Sequence, residues 1–384
     1  MDQKARKIRI MVLVSSLTIG GAEQLLLAFL KAINRDRFHI KIVFLRDPGL
    51  MGKEFLGLGF PVQTGIIRSR LDLPGILKLA TILTSEKTEI LFLINHLNTL
   101  FYGVLAARIA GVPLSVNWEN ETFKRYPFHK LTMFGRRIMH CGIDRVVAAA
   151  HGHRDYIAAV EKIPYRKIVT IYNGVDPERF RCPFSPSEAK ERINIPVNSP
   201  VVSIIAVLRP DKAHDVFLRA AQQILEKIPQ THFLIIGDGP QRAYITALAE
   251  SLGIAKNVHL LGFQRELAPI LAAVDVNTLS SKPLQETLSV AAIEAMSAGI
   301  PIVCTDVGFM KEIVIHGKTG YLVRVGAHHE MAEKIIHLLE NESLRKEMGK
   351  EAQKLVYEKL TVRQMALSFE NLFMSIYRQK PLFR

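Results

Sequence analysis

The sequence predicts an α/β protein made of two Rossmann-like domains. Three observations lead to that fold class. Apolar runs of strand length recur along the chain and end in loops rich in Gly, Asn or charge; stretches of helical period stand between them; and Pro183, Pro186, Pro196 and Pro200 punctuate the middle. At 384 residues, with 48% of them hydrophobic, the chain is long enough for two or three domains with sizeable cores. We expect a first domain at residues 1–181 and a second at 182–360.

Taken in order, residues 10–19 read as the first strand. Lys4, Arg6, Lys7 and Arg9 ahead of this apolar run imitate a secretion signal, but Gly20-Gly21-Ala22-Glu23 leads straight into an amphipathic helix at 24–33, as a first strand–helix unit should. Residues 90–107 carry no formal charge over a helix-length span, yet Asn95, His96 and Asn98 interrupt it. It parses as strand (90–94), loop and helix, and no transmembrane segment is expected. A further strand follows Gly111-Val112-Pro113 and ends at Trp118-Glu119-Asn120.

In the second half, 201–208 is an apolar run of the kind buried in a parallel sheet, followed at once by Arg209-Pro210-Asp211-Lys212 and an amphipathic helix at 216–228. Arg209 and Lys212 therefore lie at the carboxyl end of a strand, the edge at which open α/β sheets bind ligands. Strands at 232–236 and 258–261 end in Gly237-Asp238-Gly239 and Gly262-Phe263. The strand at 274–279 precedes the Glu286 segment, and the one at 301–304 leads to Val307-Gly308. Gly317-Lys318-Thr319 imitates the end of a phosphate-binding P-loop, but Glu312 stands where the first Gly is required, so it reads as a turn.

The segment from Ser280 to Pro301 is the most informative. Residues 288–298 are rich in Ala, Leu, Ile and Met, and the helix they predict stops where Gly299 can take a left-handed cap with Pro301 beyond. Glu286 stands ahead of the first turn. Glu294 lies inside the helix, where an unpaired carboxylate is costly or takes up a proton, so it needs a partner. A core Lys or Arg is the simpler one and the hydroxyl pair of a ribose the functional one. The first-turn amides near Leu288, Ser289 and Val290 carry the positive end of the helix dipole, which suits a diphosphate.

Asn173-Gly174-Val175-Asp176, Arg209 with Lys212, Gly237-Asp238-Gly239-Pro240, Glu286-x7-Glu294, the run Glu294 to Pro301 and Gly317 to Val323 together resemble family 4 retaining glycosyltransferases of the GT-B fold. The resemblance covers nearly the whole chain in the family's motif order, and Gly20-Gly21-Ala22-Glu23 matches its amino-terminal loop. It implies two Rossmann-like domains facing a central cleft, with the last helix (here 361–377, within the 361–384 tail) returning to the first, acceptor-binding domain. It also implies sugar transfer from a nucleotide diphosphate donor (UDP-, GDP- or ADP-linked) to a hydroxyl of a glycan or lipid-linked acceptor, as in envelope polysaccharide or glycolipid synthesis. By resemblance Arg209 and Lys212 neutralise the donor diphosphate, Glu286 touches the sugar and Glu294 holds the ribose. Gly20, Gly21, Leu288, Ser289, Val290 and Phe263 complete the donor side, with the base near Phe263 and Gln264. Three departures stand out: Ala213 for a Gly after the Lys, Thr287-Leu288-Ser289 for Gly-Phe-Gly, and Glu119 for a His. The last leaves Glu119 or His96 as acceptor-side candidates, with His96 equally readable as a structural loop histidine. It also raises the alternative of a non-catalytic nucleotide-sugar-binding subunit.

Charge is shared unevenly. Residues 1–181 hold 27 Lys and Arg against 15 Asp and Glu, whereas 182–384 hold 23 against 21. Between Phe123 and Met139 cations interleave with Tyr126, Phe128, Leu131, Met133 and Phe134, a pattern that suits either a solvated helix face or an anionic membrane surface. No helix-turn-helix, zinc-finger or aromatic RNA-binding signature accompanies the basic charge, so nucleic acid is not an expected partner. The full G-x-G-x-x-G fingerprint is absent, which argues against a nicotinamide cofactor. Cys141, Cys182 and Cys304 lack metal spacing and form an odd set, which fits a reducing cytoplasm. No Asp-x-Asp motif stands out either. The expectation is a metal-independent cytoplasmic enzyme without a cofactor, peripheral on the inner face of the membrane.

Overall fold

The computed structural model describes residues 6–16, 20–49, 51–69, 72–94, 97–120, 122, 129–283 and 286–379. The chain forms two compact units, one of residues 1–173 with 362–384 and one of residues 174–361. The second unit begins at Gly174, ahead of the boundary read at Arg181. Val175 pairs with Thr361, and the short 3-10 turn Pro177–Phe180 packs on a helix of the second unit.

The first unit runs β1 (Ile8–Val14), α1 (Gly21–Ala32), β2 (Phe38–Phe44), α2 (Gly52–Leu56), β3 (Val62–Gln63), α3 (Leu73–Ser85), β4 (Ile90–Ile94), α4 (Leu97–Ala110), β5 (Leu114–Glu119), α5 (His129–His140), β6 (Arg145–Ala148), α6 (His151–Ala159) and β7 (Ile168–Thr170). Its seven strands lie in the order β3-β2-β1-β4-β5-β6-β7, and every pair is parallel. Strands covered on both faces need no alternation, and the central ones read IRIMVLV and ILFLI for that reason.

The second unit contains α7 (Pro186–Arg192), β8 (Val201–Ile205), α8 (His214–Lys227), β9 (His232–Ile236), α9 (Arg242–Ser251), β10 (Val258–Gly262), α10 (Ala268–Leu271), β11 (Val276–Leu279), α11 (Val290–Ser297), β12 (Ile302–Thr305), β13 (Gly320–Val323), α12 (His328–Glu340) and α13 (Glu342–Lys359). Its sheet order is β10-β9-β8-β11-β12-β13, again all parallel. In both units the strand order reverses beside the first strand, at β1/β4 and at β8/β11. Connections leave that strand toward opposite faces, and the loops after it diverge into a crevice.

The last helix, α14 (Val362–Gln379), belongs to the first unit. Phe369 lies 5.0 Å from the Phe29 ring, 5.3 Å from Phe92 and 4.8 Å from Trp118, and Phe373 lies 5.3 Å from Phe92. Edge-on aromatic contacts of this kind add to simple area burial. Glu370 accepts from the Asn34 backbone amide at 2.9 Å, closing the chain between α1 and β2. Phe369→Ala should lower the stability of the first unit by about 3–5 kcal/mol, because the ring is fully buried and leaves a cavity among rings that cannot collapse. Urea unfolding followed by Trp118 fluorescence checks this.

Candidate functional site

The reversal at β8/β11 collects the predicted residues of the second unit. β8 leads through residues 206–208 to Arg209, and a 3-10 turn, Pro210–Lys212, carries the chain into α8. β11 leads to Ser280, Ser281 and, beyond 284–285, Glu286. These two loops are laced together. Ser280 Oγ donates to the carbonyls of Lys212 (2.8 Å) and Ala213 (2.9 Å), and the Lys282 amide donates to the Asp211 carbonyl at 2.8 Å. Lys212 Nζ forms an ion pair with Glu286 Oε1, which also accepts from Ser281 Oγ at 2.8 Å. The Glu286 side chain is buried, and the ammonium of Lys212 compensates its carboxylate there.

Backbone detail holds the pair in place. Gly308 sits in the left-handed region at φ +56° and packs directly on the Glu286 carbonyl, where any Cβ would collide. The next residue, Phe309, donates its amide to the Thr287 carbonyl at 3.0 Å. Ala213 is also left-handed, at φ +48°, which explains why Gly is the usual residue there: a Cβ in this conformation costs about 1 kcal/mol. Arg209 bonds Asp211 at 3.1 Å while its own side chain stays 46% exposed, so its guanidinium remains available.

α11 begins at Val290, two residues after the start read at Leu288. Ser289 is the N-cap, its hydroxyl accepting from the Ala292 amide at 3.3 Å, and Gly299 ends the segment at φ +80°. Among the described residues the Ser289 amide reaches only the Met310 sulfur, at 3.5 Å, a weak acceptor. Ala292, Ile293, Ala295 and Met296 are buried, whereas Glu294 is half-buried and its carboxylate has neither a hydrogen bond nor an ion pair among the described residues. Burial raises that carboxyl to about 7 against a weaker downward pull from Arg179. Among the described residues no Lys or Arg forms an ion pair with it, and Arg179 acts only at longer range. Phe263 follows β10 and is 45% exposed. Gly20 and Gly21 open α1 in the first unit, behind the undescribed residues 17–19.

Glu119 has a different setting. It ends β5, is 1% exposed, and bonds Arg136 of α5 at 2.7 Å and the Asn117 side-chain amide at 2.6 Å. Arg136 also bonds Glu161 at 2.8 Å, and His140 Nδ1 donates to the Arg136 carbonyl at 2.8 Å. Burial alone would raise the Glu119 carboxyl, but Arg136 and His140 hold it down at about 2, whereas burial and the neighbouring Glu119 charge raise Glu161. Glu119 thus sits in a buried ion-pair cluster of the first unit through its Oε1. His96, the other acceptor-side candidate, lies outside the described residues.

Residues 19–179 match Glycosyltransferase Family 4 and residues 186–355 match Glycosyl transferases group 1. The chain belongs to glycosyltransferase family 4. Among relatives it is similar to N-acetyl-alpha-D-glucosaminyl L-malate synthase of Bacillus anthracis, 30% identical over 61% of this chain and 60% of that protein. It is also similar to the UDP-Gal:alpha-D-GlcNAc-diphosphoundecaprenol alpha-1,3-galactosyltransferase of Escherichia coli, 29% identical over 66% of this chain and 67% of that one. The similarity spans about 60% of the first relative's length. Among solved structures it resembles Anabaena HepE in complex with UDP and glucose, with a TM-score of 0.84 and 22% identity over 96% of this chain and 100% of that one. The fold of this family member is GT-B.

One residue escaped the sequence reading. His214, the first residue of α8, is 1% exposed, and neither ring nitrogen has a hydrogen-bond partner among the described residues. Burial first, and then repulsion from Lys212, lower its pKa to about 4. It stays neutral at pH 7, so the positive charge beside this helix end belongs to Arg209 and Lys212. Its place directly after Lys212-Ala213 was the available signal.

Glu294 makes the free protein sensitive to pH. Its folded pKa, about 7, lies above its ordinary value of 4.5, so the folded state holds the proton more tightly than the unfolded state. The resulting stability is complete below pH 4.5 and is lost as pH rises through 7. Unfolding free energies from urea titrations between pH 5 and 8 should fall for the wild type relative to Glu294→Gln, by an amount bounded at about 3 kcal/mol; parallel pH profiles would contradict the assignment.

Proposed function

We propose that this protein is a retaining glycosyltransferase that moves a sugar from a nucleotide diphosphate donor to a hydroxyl of a glycan or lipid-linked acceptor, in envelope polysaccharide or glycolipid synthesis. The observation that carries this reading is the Lys212–Glu286 pair at the β8/β11 reversal, with the amino end of α11 and the unpartnered Glu294 on the same polypeptide segment. The second unit is then the donor half and the first unit the acceptor half. Retention is proposed from the family to which the chain belongs.

Breaking the anomeric bond places growing negative charge on the diphosphate and positive charge on the sugar ring. Arg209 and Lys212 meet the negative charge. Lys212 has three N–H donors, so it can keep Glu286 and still bond a phosphate oxygen. The Ser289 amide would exchange a weak sulfur acceptor for an anionic oxygen, a far stronger partner. Glu286, held by Lys212 and Ser281, is oriented to accept from a sugar hydroxyl, and Glu294 accepts from the ribose. Positive charge at the diphosphate thus comes from side chains of the protein without a metal.

We also propose that the first unit docks on the inner face of an anionic membrane. No described helix is long and apolar enough to cross one, but α5 shows Leu131 (74% exposed), Phe134 (59%) and Ile138 (49%) outward beside exposed Lys130 and Arg137. Met133 and Arg136, grouped with this surface in the sequence, instead face inward, because Arg136 serves the buried carboxylates Glu119 and Glu161. The Escherichia coli relative's name specifies a diphosphoundecaprenol acceptor, which fits such a location.

Replacing Arg209 or Lys212 with Ala should lower turnover about 10²-fold or more, since each cation meets charge that grows in the transition state. Glu294→Gln should weaken binding of the free nucleotide, whereas Glu286→Gln should spare it and damage transfer. Calorimetric titration beside a donor-turnover assay decides both, and turnover near wild type in the Arg209 and Lys212 variants would refute the site. For the membrane, replacing Lys130 and Arg137 with Gln should weaken pelleting with anionic vesicles by up to about 1 kcal/mol per charge. Equal pelleting with neutral vesicles would remove the electrostatic part of the reading.

A further inference from the structure

A cavity of about 500 Å³ opens in the first unit at the amino ends of β5, β6 and β7. Ser115 at the start of β5, Arg145 at the start of β6 and Lys167 just before β7 fix its position. Glu119 and Ala148 mark the opposite ends of β5 and β6, so the cavity lies away from the carboxyl edge at which such sheets ordinarily take substrate. Val104 and Val112 contribute apolar wall. Arg108, Arg145, Arg166 and Lys167 also line it, against the single carboxylate of Asp144.

These four cations divide into two kinds. Lys167 Nζ donates to the carbonyls of His140 (3.0 Å), Cys141 (3.4 Å) and Ile143 (2.7 Å), fastening the end of α5 and adding fixed charge. Arg145 is tied to the Asp144 carbonyl at 2.9 Å and to Gln379 at 3.4 Å. Asp144 itself accepts from the Ser115 amide at 2.9 Å. Arg108 and Arg166, by contrast, are exposed and have neither a hydrogen bond nor an ion pair among the described residues. Two unpaired guanidinium groups beside two immobilised cations supply the charge and the forked donors that suit a phosphoryl group. The volume exceeds that of phosphate alone and leaves the apolar wall to face a carbon skeleton.

We propose that this cavity binds a phosphate monoester on a small polyol, carried either by a soluble metabolite or by a phospholipid headgroup, with Arg108 and Arg166 as the residues that grip it. The site depends neither on the donor assignment nor on docking by α5. The test uses the full chain, glycerol 3-phosphate as soluble probe, and vesicles containing phosphatidic acid against vesicles with equal charge from phosphatidylserine. Joint replacement of Arg108 and Arg166 with Gln should weaken the response about tenfold or more, two charge-assisted contacts being lost. The Arg209→Ala/Lys212→Ala protein should keep it. Loss of glycerol 3-phosphate binding identifies the soluble source. Loss only of the preference for phosphatidic acid identifies the headgroup. Absence of both responses in the wild type overturns the proposal, as does a response that survives in the Arg108/Arg166 variant. An unchanged melting temperature confirms that this variant folds, as expected for two exposed, unpaired side chains.

Discussion

The ion pair between Lys212 and Glu286 is the contact on which the second unit's site depends. β8 and β11 are neighbours in the sheet, but the chain leaves them for helices on opposite faces, and nothing in the strand pairing itself requires their loops to meet. A buried carboxylate changes that. Without the ammonium, Glu286 would be an uncompensated charge in a poorly solvated place, and the surrounding loop would have to open. With it, Ser280, Ser281 and Gly308 can close around both chains, and α11 starts from a defined point. The same contact thus sets loop geometry, helix position and the spacing of the carboxylates of Glu286 and Glu294.

The first unit is organised by a second buried charge cluster with a different result. Arg136 turns toward Glu119 and Glu161, and His140, one turn on, turns inward with it. This sets the rotation of α5. Residues 131, 134 and 138 must then face outward, although by hydrophobicity they would belong inside. The helix is amphipathic with its phase inverted, and the apolar stripe is the cost of satisfying two carboxylates in the interior.

That inversion also marks the limit of what was legible. Parallel strands covered on both faces announce themselves as continuous apolar runs, and the strands at 90–94 and 232–236 are found at the residues expected for that reason. Gly299 announced the end of its helix because a left-handed cap is a local requirement. The close approach of Gly308 to Glu286 and the pairing of Glu286 with Lys212 join residues far apart in the chain, and no local pattern encodes them. Arg136 and Arg137 are adjacent cations in a basic segment, yet one is buried and the other exposed. The difference is set by Glu161, 25 residues away from Arg136, whose role cannot be seen without the fold.

The position of α14 has a consequence for synthesis. Phe369 and Phe373 complete the aromatic cluster around Phe29, Phe92 and Trp118, and they are translated only after residues 174–361, the whole of the second unit, have been made. On the ribosome the first-made unit is therefore the last to finish, while the second, continuous in sequence, can close as soon as it emerges. Until then the rings of Phe92 on β4 and Trp118 on β5 lack the cover that α14 gives them, an exposed apolar face of the kind that makes partly folded chains prone to aggregate.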